Sequence, residues 1–306
     1  MGAPERFSGV LSPVATPFKA DLSPDPEKLV NHCSWLLSQG VGLAPFGTTS
    51  EANSLSIEEK MSLLDSLIDA GIDKARLMVG TGHCALADTV KLTAHAVKAG
   101  CAGTLMLPPF YYKDVDDDGL FANFAEVIER VGNSNLRVYL YHIPPIAHVG
   151  ISPQLVERLV KAYPETVVGI KDSSADWNNT KSLLELQLDD FRVFAGSEAF
   201  LLENMRSGGA GCISATANIN PGAIHELSEY WQSDDAESRQ GQLDAVRSAV
   251  ERHPMIPALK AVIASFLRDA GWATVRPPLL PLDTDQKSEL ESELHALDFE
   301  MPDLID

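Results

Sequence analysis

The chain has 306 residues, 45% of them hydrophobic, so it can bury a substantial core as one large α/β domain or as two smaller domains. Its formal net charge of -19 would repel the phosphates of nucleic acids and the surface of anionic membranes, so we expect neither as a partner. The four cysteines are widely spaced and form no CxxC pair, which argues against a zinc site or a disulfide framework.

The cellular location follows from similar observations. No apolar run is long enough to span a membrane. Residues 1–6 lack the apolar core of an export signal, and Arg6 stands where a myristoylation motif requires Ser or Thr. With widely spaced cysteines that fit a reducing compartment, these features predict a cytoplasmic protein.

The first part of the chain predicts two strands, each followed by a helix. Residues 9–18 form the first predicted strand, which is interrupted by prolines, and a helix then runs to Gln39. Residues 41–46 form the second. The next helix begins with a capping box, because the Ser56 side chain can accept from the amide of Glu59 while Glu59 reaches back.

The alternation of strands and helices continues to residue 214. Six further strands are predicted at residues 76–82, 103–107, 137–143, 167–171, 191–196 and 209–214, and helical patterns lie at residues 88–99, 120–131, 153–162 and 199–207. Eight strands alternating with helices indicate a (β/α)8 TIM barrel, because parallel strands need crossover helices and the eighth strand can close on the first. A doubly wound open sheet is the alternative.

The remaining residues show helical periodicity without strands. Residues 257–270 are an example. We therefore predict a barrel over residues 1–220 and additional C-terminal helices over residues 221–306, which pack on the outside of the barrel within a single structural unit.

Two patterns suggest cofactors, and both are better explained otherwise. Residues 80–85 match the GxGxxA turn of dinucleotide-binding folds, but residues 105–108 lack the acidic residue that such a site needs about 20 positions on. The run Asp116-Asp117-Asp118 suits a helix cap better than a metal site, and the eight histidines are scattered. We expect neither a dinucleotide nor a metal.

Lys171 is the strongest single candidate for chemistry. It ends an apolar, β-prone run at residues 167–170 and precedes polar residues, which predicts a buried strand that delivers an amine to the edge of a sheet. An amine that loses its hydration there becomes available as a nucleophile, as Schiff-base chemistry requires. A lysine that only extends to water from a strand end is the alternative.

Other polar groups also lie at the predicted carboxyl ends of strands, where barrels place their active sites. On strand five, Tyr139 and Tyr141 share one face, and the phenol of Tyr141, nearer the active end, can move protons unless it is a core aromatic. On strand two, Thr48 and Thr49 follow Gly47 in a turn suited to a carboxylate, although they can also be helix-entry residues.

The neighbours of these residues are expected to point elsewhere. Because side chains alternate along a strand, His142 and Asp172 should point away from the active face and into the helix layer. Residues 211–214 predict a close approach of the backbone to the barrel mouth.

Several motifs together resemble the dihydrodipicolinate synthase and N-acetylneuraminate lyase family of pyruvate-dependent class I aldolases. The motifs are GTTSE at residues 47–51, YHIP at residues 141–144 and GIKD at residues 169–172, with further similarity at residues 16–18, 80–82 and 209–214. The resemblance implies a TIM barrel that works without a metal or separate cofactor, because a lysine forms the covalent imine.

The resemblance also implies roles for single residues. Lys171 would bind the keto carbon of pyruvate as an imine, and Tyr141 would shuttle protons with Thr49 as a relay. Thr48, Thr49 and the backbone at Ile213 would hold the carboxylate. The family further implies a homotetramer in which the residue that matches Tyr111 reaches the site of a neighbouring subunit.

The sequence departs from both substrates that name the family. Dihydrodipicolinate synthases carry an arginine shortly after the YNxP-type turn, whereas residues 145–150 contain none; Ile146 and Ala147 offer apolar surface there and His148 a weaker donor. Sialic acid lyases have acidic residues after the glycine of strand seven, which Gly196-Ser197-Glu198 matches in part. Ser50 stands where the family has a glycine.

We therefore predict a Schiff-base-forming lyase that cleaves or condenses a 2-oxo acid, with pyruvate as the imine-bound partner. Gly196 and Ser197 are further candidates for contact with the substrate. The alternatives are dihydrodipicolinate synthase itself, which condenses pyruvate with aspartate semialdehyde, and a barrel that binds a 2-oxo acid without turnover.

Overall fold

The computed structural model describes residues 6–304. The expectation that no export signal is present rests largely on residues 1–5, which lie outside the described residues. No helix within residues 6–304 is both long and apolar enough to cross a membrane.

The strands of the described residues form one sheet with sequential order. They are β1 (Gly9–Ser12), β2 (Gly42–Leu43), β3 (Met78–Gly80), β4 (Gly103–Met106), β5 (Val138–His142), β6 (Val167–Asp172), β7 (Arg192–Ala195) and β8 (Gly211–Ile213). Their order is β2-β1-β8-β7-β6-β5-β4-β3. A doubly wound sheet would reverse its order at a switch point, whereas a sequential order with β8 beside β1 is that of a barrel. The predicted (β/α)8 TIM barrel is confirmed.

Helices follow the strands along the chain. They are α1 (Pro26–Ser38), α2 (Ile57–Asp69), α3 (Leu86–Ala99), α4 (Asp117–Val131), α5 (Pro144–Ala147), α6 (Pro153–Ala162), α7 (Trp177–Leu184), α8 (Leu201–Arg206), α9 (Pro221–Glu229), α10 (Ala236–Glu251), α11 (Met255–Leu267) and α12 (Thr284–Ala296). The sequence did not predict α7, which begins after Asp176, whose side chain accepts a hydrogen bond from the amide of Asn178.

Helix caps explain several of these boundaries. The Ser56 side chain accepts from the amide of Glu59, and the Glu59 side chain accepts from the amide of Ser56, so the predicted capping box is confirmed. Asp116 caps α4 by accepting from the amide of Gly119. The acidic run at residues 116–118 therefore starts a helix, where negative charge is stabilised by the helix dipole.

The chain comprises two compact units. The first contains Asp73–Ile213 with the described residues up to Gly9, and the second contains Val10–Ile72 with the described residues from Ser214 onward. After β8 the described chain is helical. The division into a barrel to residue 220 and added C-terminal helices remains a prediction.

Alternation along β5 organises the core of the first unit. Val138 and Leu140 pack in an apolar cluster with residues of α4 and α6 such as Phe124 and Leu155. The side chain of Tyr139 points to the opposite face of the strand, as the period of two requires. Tyr141 therefore shares the face of Tyr139.

Tyr139 is fully buried among aromatic rings and glycines. Its ring makes edge contacts with Phe7 and Phe194, at centroid distances of 5.8 Å and 6.0 Å. A Cβ atom at Gly169 would lie 2.6 Å from this ring, and one at Gly103 would lie 2.8 Å from it. Both positions are glycine because the phenol ring occupies the space of their side chains.

Asn218 organises a buried polar site in the second unit. Its Nδ2 donates to the carbonyls of Pro13 at 3.2 Å and Ala215 at 2.9 Å, so its Oδ1 is the acceptor. That oxygen accepts from the amide of Ala15 at 2.8 Å and lies 3.2 Å from Nε2 of His32. Nε2 of His32 must therefore carry a proton.

Burial lowers the pKa of His32 from 6.5 to about 4, although its hydrogen bond to Asn218 opposes the shift. Between these values the unfolded chain binds a proton that the folded chain does not, so stability falls as the pH drops through this range. His32→Gln retains an amide that can donate to Asn218 and does not titrate. From pH 7 to pH 5, the free energy of unfolding should fall by about 2 kcal/mol more in the wild type than in His32→Gln.

Urea titrations at the two pH values measure this difference. An equal loss of stability in both proteins would contradict the assignment of a neutral, buried His32.

Candidate active site

Lys171 and Tyr141 lie side by side at the carboxyl ends of β6 and β5. The two strands pair in parallel with Tyr141 opposite Lys171. Nζ of Lys171 donates to the phenol oxygen of Tyr141 at 3.4 Å and lies 4.5 Å from the centroid of its ring. Both side chains are buried, with 4% of each residue exposed. The structure thus brings together the two main catalytic candidates.

The backbone around Lys171 is fixed from both neighbouring strands. The amide of Ser173 donates to the carbonyl of His142 at 2.7 Å, and the amide of Gly196 donates to the carbonyl of Asp172 at 2.6 Å. These bonds extend the β5–β6 and β6–β7 pairing past the lysine. Its Cα atom therefore has little freedom to shift.

His142 and Asp172 face away from this pair, as the alternation predicts. Asp172 is buried and accepts from the amide of Ser174 at 2.9 Å, from Asn179 at 3.0 Å and from the hydroxyl of Thr180 at 2.6 Å. The last two lie on α7. The carboxylate therefore ties the end of β6 to the helix that follows it.

The hydrogen bonding of His142 defines a single tautomer. Its Nδ1 accepts from the amide of Ile151 at 2.9 Å, so Nε2 carries the proton and lies 4.0 Å from Asp172 Oδ1. Burial lowers the pKa of His142, and the negative charge of Asp172 opposes this shift. The prediction that His142 points away from the active face is confirmed.

Tyr139 shares the face of Tyr141 but has a different hydrogen-bond partner. Its phenol oxygen accepts from the amide of Phe7 at 2.9 Å. Burial raises the pKa of Tyr139 to about 12. Tyr139 therefore belongs to the core, and of the two tyrosines on β5, Tyr141 has its phenol at the lysine.

In the second unit, Thr48 and Thr49 lie in a turn that follows β2. Thr49 is buried and Thr48 is half-buried. The hydroxyl of Ser50 donates to the carbonyl of Val14 at 2.5 Å and accepts from the amide of Gly47 at 3.3 Å. Ser50 therefore fixes the turn with its side chain.

A buried ion pair adjoins this turn. Glu51 has a left-handed backbone, with φ of 55°. Its carboxylate accepts from Nζ of Lys260 at 2.7 Å and from the amide of Arg276 at 2.8 Å, and Lys260 also donates to the carbonyl of Thr16 at 2.8 Å. Both charged side chains of the ion pair are fully buried. Because an unpaired buried charge is costly, these contacts hold Glu51 in its unusual conformation.

Gly196 and Ser197 follow β7. A Cβ atom at Gly196 would overlap the hydroxyl of Ser173, so glycine is needed for this close approach. The hydroxyl of Ser197 accepts from the amide of Ala199 at 3.1 Å and caps a short 3-10 turn. The structure thus shows packing and capping roles for these residues, and their contact with a substrate remains a prediction.

Ile213 and Tyr111 are placed very differently. Ile213 is the last residue of β8 and is fully buried. Tyr111 is 75% exposed and packs edge-on against Tyr112.

Among residues 6–304, no group of three or more His, Cys, Asp or Glu side chains could hold a metal ion.

A model of the dihydrodipicolinate synthetase family matches residues 6–297 of the chain. The chain belongs to this family. Its fold is that of the family's class I aldolases and lyases, and the family members are carbon–carbon lyases. The predicted family and enzyme class are confirmed.

Individual family members are similar over nearly their whole length. An uncharacterized DapA-like lyase of Chloroflexus aurantiacus is 32% identical, over 93% of this chain and 95% of its own. A crystal structure of dihydrodipicolinate synthase from Agrobacterium tumefaciens has 32% identity and a TM-score of 0.87, covering 94% of this chain and 99% of that one. YagE, a prophage protein of this family from E. coli K12 in complex with pyruvate, has 27% identity and a TM-score of 0.88, covering 97% and 100%.

The segment after Tyr141 is where the chain departs from the dihydrodipicolinate synthase pattern. Residues 144–147 form the single turn α5, and His148 ends it with φ of 51°. Ile146 is 60% exposed, whereas Ala147 is buried. The expectation that both offer apolar surface was therefore wrong for Ala147, which packs inward.

Ser173 is a candidate that the sequence analysis missed. Its hydroxyl is buried and has no hydrogen-bond partner among the described residues. The period of two could have identified it, because Ser173 lies two residues after Lys171 and its amide continues the pairing with β5. It was overlooked because the predicted strand ended at Lys171.

Proposed function

We propose that the protein is a metal-independent lyase that cleaves a hydroxylated 2-oxo acid to pyruvate and an aldehyde through an imine on Lys171. The observation that carries this proposal is the pairing of a buried amine with the Tyr141 phenol at 3.4 Å. A nucleophile and a proton-transfer group in contact are the minimum that imine chemistry requires. The pyruvate complex of YagE supports pyruvate as the imine-bound partner.

The reaction needs only these groups and water. The amine of Lys171 attacks the keto carbon, and the phenol of Tyr141 gives its proton to the hydroxyl group that leaves as water, which yields a protonated imine and a phenolate. The phenolate takes the proton of the substrate's 4-hydroxyl group, with Thr49 as relay, while the bond between C3 and C4 breaks and its electrons move into the imine. The aldehyde departs, the resulting enamine takes a proton at C3, and water releases pyruvate and the free lysine.

Other groups would bind the substrate. Following the family resemblance, we assign the carboxylate to the hydroxyls and amides of Thr48 and Thr49 and to the backbone at Ile213. The unpartnered hydroxyl of Ser173, together with Gly196 and Ser197, would contact hydroxyls of the aldehyde portion. This set of groups favours a polyol or sugar-acid chain over a second carboxylate.

The family resemblance also supports a cytoplasmic homotetramer. We assign the exposed ring of Tyr111 to contact with a neighbouring subunit. A protein that only senses a 2-oxo acid would need the carboxylate site without a proton shuttle. The contact between Tyr141 and Lys171 favours catalysis over sensing.

The first prediction concerns the imine. Incubation with pyruvate and sodium borohydride should add one reduced pyruvate to the peptide that contains Lys171, and turnover should persist in EDTA. Lys171→Met should abolish the adduct. The buried Lys260 is an internal control, because its amine already donates to Glu51 and to the carbonyl of Thr16. An adduct on Lys260, or on no lysine, would contradict the mechanism.

The second prediction separates the two tyrosines of β5. Tyr141→Phe should lower kcat by about 10²–10⁴-fold, because it removes a general acid–base group, while the borohydride adduct with saturating pyruvate remains detectable. Tyr139→Phe is the matched control. It removes the acceptor of the Phe7 amide, so it should lower the melting temperature and leave kcat within a few fold. Near-normal kcat in Tyr141→Phe would assign the proton transfer to another group.

The third prediction concerns the aldehyde. A closed bidentate contact between arginine and a carboxylate contributes about 1.5–3 kcal/mol, and residues 145–150 contain no arginine to provide it. The kcat/KM for cleavage of a hydroxylated 2-oxo acid should therefore exceed the kcat/KM for condensation of pyruvate with aspartate semialdehyde. Coupled assays of both reactions on one preparation make the comparison. A clearly higher value for condensation than for every 2-oxo acid in a broad cleavage panel would support the synthase instead.

A further inference from the structure

His142 closes the chain segment that follows Tyr141 into a loop. The segment leaves β5 at His142, turns through α5 and returns to Ile151, whose amide donates to Nδ1 of His142 at 2.9 Å. One side chain thus joins the two ends of a ten-residue loop. The loop packs on the ring of this histidine, since a Cβ atom at Gly150 would lie in ordinary van der Waals contact, 3.4 Å from its Cε1.

This loop is also tied to the loop between β4 and α4. Nζ of Lys113 donates to the carbonyl of Ala147 at 2.8 Å. The hydroxyl of Ser152, one residue past the loop, contacts Asp117 at 2.5 Å. Of these three bonds, the one to Ile151 is made by a side chain of β5, that of His142.

The position of the loop gives it a role in substrate recognition. In the proposed cleavage, the bond that breaks lies next to the hydroxyl whose proton Tyr141 takes, so the aldehyde portion must lie on the Tyr141 side of the imine. The residues that directly follow Tyr141 leave the carboxyl end of β5 beside it, and we assign them to the wall around this portion. They include the exposed side chain of Ile146.

We propose that His142 is a specificity-determining residue, which fixes residues 143–151 through its bond to Ile151 and thereby shapes the pocket for the polar chain of a hydroxylated 2-oxo acid. This inference rests on the proposed function. His142 does not touch the reacting atoms, because it points away from Lys171 and towards Asp172. It acts by positioning the loop, and the chemistry on pyruvate alone should not depend on it.

Two substitutions at His142 distinguish the roles of the two ring nitrogens. In His142→Asn, the side-chain oxygen stands near the position of Nδ1 and can accept from the amide of Ile151. In His142→Gln, the amide extends one bond further, to the position of Nε2, and the Ile151 amide loses its acceptor. The asparagine also matches the YNxP-type turn of the family.

Two measurements then distinguish chemistry from recognition. Exchange of the methyl protons of pyruvate for deuterium reports imine and enamine formation without any aldehyde. Competition for borohydride trapping between pyruvate and a six-carbon 2-oxo acid with hydroxyls at C5 and C6 but none at C4, quantified by mass, reports recognition of the longer chain, because this acid cannot be cleaved to pyruvate.

In His142→Gln, the share of the longer adduct should fall about tenfold, because a buried amide without its acceptor disfavours the loop conformation by about this factor. Its pyruvate exchange should stay within about twofold of the wild type. His142→Asn should retain both values. The amide of Ile151 should also lose protection from hydrogen exchange in His142→Gln and keep it in His142→Asn.

Should His142→Gln fail to fold, Lys113→Met provides a second test with His142 in place, because it removes the bond from Nζ of Lys113 to the carbonyl of Ala147 and so loosens the same loop. It should lower the share of the longer adduct with little effect on pyruvate exchange. Equal losses in both measurements, no change in either, or no adduct of the longer acid on the wild type would overturn the inference. Absence of any pyruvate adduct on the wild type would instead overturn the proposed function.

Discussion

The site depends on the register between two neighbouring parallel strands. Tyr141 lies opposite Lys171 because β5 and β6 pair at that position, and the amides of Ser173 and Gly196 continue the pairing beyond it. A shift of one residue on either strand would turn one of the two side chains into the helix layer. The hydrogen bonds of the backbone, rather than a contact between side chains, therefore hold the amine beside the phenol.

The same register places a second pair of residues behind Tyr141 and Lys171. His142 lies opposite Asp172 one position further on, and both point away from the reacting pair. Asp172 binds the start of α7 through Thr180, and His142 binds the amide of Ile151. Each strand end thus places one residue of the Tyr141–Lys171 pair on the inner face and uses the next residue to hold the element that follows. This arrangement lets the loops vary while the pair on the inner face stays in place.

Local patterns in the sequence predicted the features that depend on neighbouring residues. The capping box at Ser56 and the alternation that places Tyr141 on the inner face both follow from short spacings. Features that join distant positions could not be predicted in this way. Nothing near Tyr139 in the sequence indicates that its phenol oxygen accepts a hydrogen bond from the amide of Phe7. Likewise, the family pattern has a glycine at position 50, so it does not predict the bond from the Ser50 hydroxyl to the carbonyl of Val14. The first strand is also shorter than the predicted range of residues 9–18. It ends at Ser12, because Pro13 has no amide hydrogen to continue the pairing.

Two buried lysines show why local sequence identifies a candidate nucleophile without proving it. Lys171 and Lys260 each follow apolar residues, and both lose hydration in the fold. Lys260 meets a carboxylate and a carbonyl, so its amine is held as a charged partner of Glu51. Lys171 instead meets the neutral phenol of Tyr141, at a distance that leaves the contact weak. Nζ of Lys260 is thus committed to an ion pair, whereas Nζ of Lys171 has a weak contact that the carbonyl carbon of a substrate can replace. The partner, and not the burial, therefore makes Lys171 the candidate nucleophile and Lys260 a structural residue.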